Sequence, residues 1–205
     1  MEQTLFDTLL ADTDKINEKQ RFDKTVSHLP DTMDGAITFH RQQIAKHHQA
    51  MLDCEFDKAV AIREEARLLA LKLNNNKSGI IAHENAPGCV LARKCASKHG
   101  TFPLWGQDGK FRIIVRGVSC AVSMNGIFGI GATSMMYAGF SVKAVDWARP
   151  FISETGYRSF LGCSVMPQEG MTPKDFVGMV IADYIDTELK GKLVAISARF
   201  HPDNR

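Results

Sequence analysis

Long apolar runs are missing from this chain. No stretch approaches the roughly 20 apolar residues that a membrane-crossing helix needs, so no membrane attachment is expected. A leader peptide is not expected either. Asp7, Asp12, Asp14 and Glu18 mix with Lys15, Lys19 and Arg21 where a signal sequence needs a clean apolar core. The cysteines, Cys54, Cys89, Cys95, Cys120 and Cys163, are odd in number. Their spacings fit neither a disulfide framework nor a common zinc pattern. Reduced, mostly buried thiols in a cytoplasmic protein are the expectation. Strong charge of one sign is also lacking, since the formal net charge is +2. The catalytic signatures are absent too: there is no H-E-x-x-H, no Walker loop, and no Cys/His pair with a family signature.

What is present is an ordinary globular composition, 44% hydrophobic and 23% charged over 205 residues. Such a chain forms a core without staples. The charge is unevenly placed. Residues 1–75 carry a balance of −3 and residues 76–205 one of +5. The second part is suited to face an anion, but the excess is too small to argue for a nucleic-acid groove. Nucleic acid therefore stays open as a partner.

Three segments are expected. Residues 1–34 hold a short helix around Leu5, Phe6, Leu9 and Leu10, ended by Pro30, after which Asp31 or Asp34 caps the next element. Residues 35–76 read as an antiparallel helical hairpin. Ala59, Ile62, Ala66, Leu69 and Leu73 form a seam at helical spacing, and Ile37, Ile44, Met51 and Leu52 face it. The turn falls at 53–57, with Asp57 capping the second helix, and Asn74 to Asn76 end it. Residues 77–205 read as an α+β domain, a mostly antiparallel sheet with a C-terminal helix.

The run from Met51 to Glu65 resembles the UVR motif, a helical hairpin of excision-repair nuclease subunits and of some Clp-type chaperone and kinase-regulator proteins. The marks are Glu55-Phe56 at the turn, Ala59, Arg63-Glu64 and the later Leu68 or Leu69. The resemblance spans residues 42–73. It implies a protein partner, met by Phe56, Arg63 and Arg67. A homodimer is compatible with it.

In the C-terminal part, Phe111, Ile113 and Val115 alternate with Lys110 and Arg112, and Val118, Cys120, Val122 and Met124 with Ser119, Ala121 and Ser123. Period two with one apolar face predicts an antiparallel pair around Arg116-Gly117. Residues 78–109 read as turns, including Ala86-Pro87-Gly88, and Phe102-Pro103-Leu104-Trp105 as an apolar patch for the core. Gly126, Gly129 and Gly131 are in the wrong order for a dinucleotide loop. Phe140 to Val145 predicts a further strand. Thr172-Pro173 opens a helix with Phe176, Val177, Val180 and Ile181 on its buried stripe, and Leu193 to Ile196 closes the domain as a strand.

Chemistry concentrates at residues 153–159. Ser153, Glu154, Thr155, Tyr157, Arg158 and Ser159 lie between apolar Phe151-Ile152 and Phe160-Leu161. An anchored loop with an arginine and hydroxyls suits a carboxylate or phosphate. A Glu154–Arg158 pair would instead close it as a turn. The phrase around it resembles uncharacterised proteins of plasmids and phages. No metal or cofactor is expected: His40 and His47 are seven apart, Cys89 and Cys95 six, and helix histidines at positions 40, 47 and 48 read as exposed or half-buried.

The leading expectation is a non-enzymatic binding or regulatory protein that uses its hairpin for protein contact. One alternative is a plasmid or phage accessory protein that inhibits host restriction or CRISPR defence. The other is an enzyme on a small anionic substrate, using Arg158, Tyr157 and Glu154 with His99 or His83.

Overall fold

The computed structural model describes residues 2–129, 139–161 and 165–201, with side chains from Thr13 onward. Cys163, Gly131 and the side chains of Leu5, Phe6, Leu9 and Leu10 lie outside that set. The described chain is α+β. Helices α1 (Glu2–Thr25), α2 (Met33–Leu52), α3 (Phe56–Leu73) and α4 (Pro87–Cys95) precede strands β1 (Gly109–Val115), β2 (Val118–Met124), β3 (Phe140–Ala144) and β4 (Tyr157–Phe160), and α5 (Pro173–Thr187) follows. None of the described helices is long and apolar enough to cross a membrane.

Helix α1 is longer than its four apolar residues suggest. No glycine or proline interrupts residues 2–25, and Glu, Gln and Lys sustain the helix beyond the apolar cluster. Helix α2 starts at Met33 because Thr32, and neither Asp31 nor Asp34, caps it by accepting from the Gly35 N–H. The turn to α3 is tighter than 53–57. It occupies Asp53 to Glu55, with Cys54 at φ 56°, and Asp57 lies in the first turn of α3 instead of capping it. The α2 and α3 partners, Gln43 with Glu65 and His47 with Arg63, run in opposite sequence directions, so the pair is antiparallel. Ala59, Ile62, Ala66 and Leu69 of the seam are buried and Leu73 is half-buried.

Helix α4 was not expected. Pro87 sits at the first position of a helix, where its missing N–H costs nothing, and so opens a helix instead of a turn. Leu91 and Cys95 are its buried residues beside Gly88, within the hairpin's cores.

The strands form one antiparallel meander in the order β1-β2-β3-β4. Their alternation puts Phe111, Ile113, Val122, Cys120, Val142 and Phe140 on one face, which packs on Phe176, Val177, Val180 and Ile181 of α5. Helix α5 is capped as its sequence predicts. The Thr172 side chain accepts from the Asp175 N–H, and Asp175 accepts from the Thr172 N–H. The expected closing strand reduces to a single bridge, Phe151 to Val194. Ala50, Met51, Ala59 and Ile62 of the hairpin enter the same core as the sheet and α5.

Candidate functional site

One face of the sheet is covered by α5 and the hairpin; the other is left open by the described residues. The register fixes what it displays. One row across the strands is Arg112, Ala121, Lys143 and Tyr157. The adjoining row is Lys110, Ser123, Ser141 and Ser159. His99 and Phe102, from the loop before β1, border these rows and complete a shallow hollow of about 610 Å³. No carboxylate lines it among the described residues. Lys110, Arg112 and Lys143 form no ion pair among the described residues. By contrast, Arg116 at the tip of the β1–β2 turn is held by Asp186 at 2.6 Å and Arg149 by Asp146 at 3.1 Å.

Two aromatic rings stand at the margins. Tyr157 is 49% exposed and makes no ring contact among the described residues. Phe102 is 47% exposed and carries the Lys174 ammonium 4.8 Å from its ring centre. Beneath Tyr157 the chain turns at Gly156, whose φ of +65° suits glycine and whose missing side chain leaves room for the Trp147 ring. Lys143 lies 5.5 Å from the centre of that ring.

The polar stretch 153–159 does not converge. Ser153 Oγ and Thr155 Oγ1 are 2.7 Å apart, and Thr155 Oγ1 donates to the Tyr157 carbonyl at 2.8 Å, so these hydroxyls close the turn. Glu154 pairs with Arg199 at 3.7 Å and not with Arg158. Residues 157–160 are strand, so successive side chains point to opposite faces. Tyr157 and Ser159 join the open face. Arg158 turns under the sheet and lies over the Tyr184 ring, 3.9 Å from its centre. Of the two histidines expected with this loop, His99 reaches the open face and His83 lies exposed in the turns before α4.

The hairpin residues also differ from expectation. Arg67 is exposed and pairs with Glu64 at 3.1 Å, and Phe56 is half-buried against the main core. Arg63, expected to face a partner, faces inward. Its Nε donates to His47 Nε2 at 2.8 Å and its Nη2 approaches Met51 Sδ at 3.6 Å. An arginine Nε–H only donates, so His47 Nε2 accepts and Nδ1 carries the proton. That Nδ1–H donates to the Trp105 carbonyl at 3.0 Å. Gly106 (φ +85°) permits the approach, since a Cβ there would lie 2.7 Å from His47 Nδ1. The Trp105 N–H donates to His48 Nδ1 at 3.2 Å, and its indole N–H to the Met171 carbonyl at 2.8 Å. Trp105 thus ties α2 to the approach of α5.

His40 and His47, expected to be exposed or half-buried, are buried. Burial lowers the His40 pKa to about 4, and burial followed by the Arg63 charge does the same for His47. Burial also raises the Asp108 carboxyl, against the Gly126 N–H that it accepts, and pushes the Cys120 thiol up to about 11. Among the described residues no group of histidines, cysteines and carboxylates is arranged to hold a metal.

The fold and this surface define an α+β protein with an open-faced, cation-lined antiparallel sheet. Residues 108–193 match the family model described as the KlcB third domain. That span contains all four strands and α5, including Lys110, Arg112, Lys143 and Tyr157, and it leaves out the hairpin. The UVR resemblance therefore gains nothing from it. Protein KlcB of Escherichia coli is 32% identical over 135 residues, which is 65% of this chain and 33% of the relative. A second Escherichia coli Protein KlcB is 33% identical over 132 residues, 64% of this chain and 28% of the relative. The chain spans about a third of the length of these curated relatives. No solved structure matches it significantly.

Proposed function

We propose that this chain is a KlcB-like accessory protein of a plasmid that works by binding, and that the open sheet face is its contact surface for an anionic partner. The similarity to KlcB proteins supports the first part of this reading. The observation that carries the second is the set of Lys110, Arg112 and Lys143 on one face, with no ion pair and no lining carboxylate among the described residues. Three like charges held near one another repel, and an anion relieves that repulsion. Elsewhere on the surface, Arg116 and Arg149 each have an acid beside them.

The test is retention on immobilised heparin. The variant Lys110→Gln/Arg112→Gln/Lys143→Gln should elute at clearly lower salt than the wild type, with unchanged circular dichroism and melting temperature. Elution at the same salt would remove the open face as the contact surface. A plasmid-protection assay, with transformation into hosts carrying restriction or CRISPR systems, then asks whether the accessory role is interference with host defence. Loss of protection in the triple variant would join the surface to that role.

A further inference from the structure

Resting on the reading that the open sheet face binds anions, we infer that its ligand is a single strand of nucleic acid, with Tyr157 as a stacking platform. Charge alone does not select among polyanions; the aromatic residues do. An acidic protein segment uses the cations and has no use for an exposed tyrosine ring. A duplex offers phosphates but keeps its base faces stacked inside. Only a single strand presents phosphates and unstacked bases together.

The geometry supports that pairing. Lys110 and Arg112 are two residues apart on β1, so their Cα atoms are roughly 7 Å apart on one face. That is of the order of the step between successive phosphates in an extended strand. Lys143 lies two strands away from Arg112 in the same row, about 10 Å across the sheet. Tyr157 is its neighbour in that row, half-exposed and without a ring partner among the described residues. The Ser123 and Ser141 hydroxyls lie between the cations and offer donors and acceptors to base edges. At the β1 margin Phe102, with Lys174 over its ring, repeats the combination of aromatic surface and cation. The arrangement tracks a backbone and stacks bases without reading a sequence.

The experiment is fluorescence anisotropy with a labelled 12-nucleotide strand of mixed sequence, as DNA and as RNA, beside the matching duplex and a polyglutamate of equal charge. The full chain is used throughout. The single strand should bind more tightly than either comparison ligand, with affinity falling steeply as salt rises. Tyr157→Leu should weaken single-strand binding roughly tenfold and leave polyglutamate binding unchanged, while Tyr157→Phe keeps the wild-type affinity. If duplex or polyglutamate binds as well as the single strand, or Tyr157→Leu changes nothing, the single-strand proposal is overturned and the anion-binding face stands. If the Lys110/Arg112/Lys143 triple variant binds every ligand as the wild type does, both fall.

Discussion

His47 accepts from Arg63 and donates to Trp105, and it does both only as the neutral Nδ1–H tautomer. Unfolded, a histidine takes up a proton near pH 6.5, whereas His40 and His47 in the fold hold off protonation to about pH 4. The unfolded chain therefore binds more protons between these values. Stability should be complete above about pH 6.5 and fall as the pH drops toward 4, by up to roughly 3 kcal/mol per histidine. Urea titrations at pH 7 and pH 5 check this, and His40→Leu, which removes a buried Nδ1 without a partner among the described residues, should flatten the slope. Arg63→Ala strands the His47 acceptor and should cost about 3 kcal/mol in the same titration. Arg67→Ala, at an exposed ion pair, should stay within about 0.5 kcal/mol. Arg63 and Arg67 stand four apart on α3 and look alike as letters. Only the position of His47 on the facing helix tells them apart, and that position is set by the packing of the hairpin.

Elements with a strong local signal were legible. β1 and β2 carry unbroken alternation, and Thr172-Pro173-Lys174-Asp175 spells a capped helix start. Thr172→Ala should cost about 1 kcal/mol through the lost cap, read as a lower melting temperature. α4 was hidden because Pro87-Gly88 reads as a turn, and the contacts that stabilise so short a helix come from the hairpin. β4 was hidden because Ser153 to Ser159 is polar throughout. Its strand begins after Gly156, and a strand at the sheet edge needs few apolar residues. Gly156→Ala should destabilise by about 2 kcal/mol, from the positive φ and the collision with Trp147, seen as a lower urea midpoint.

At the scale of the molecule, Ala50, Met51, Ala59 and Ile62 lie in one apolar core with the sheet and α5, and Trp105 hydrogen-bonds to both sides. Hairpin and sheet should therefore unfold together. In Trp147→Phe the fluorescence of Trp105 and the far-ultraviolet circular dichroism should trace one urea transition; two separated transitions would refute the coupling. The candidate surface was half legible. Lys110 and Arg112 were visible as the polar side of an alternating strand, and Tyr157 as part of a polar cluster. Their grouping with Lys143 and His99 depends on strand order and register, which no local pattern encodes.

The shared core also bears on inheritance. The family match begins at residue 108, just past Trp105, and excludes every hairpin residue that reaches the core. A recombination event that moved residues 108–193 alone would deliver a sheet whose underside is partly bare. Expressed alone, residues 108–193 should therefore melt at a lower temperature than the full chain, a difference that calorimetry of the two would read.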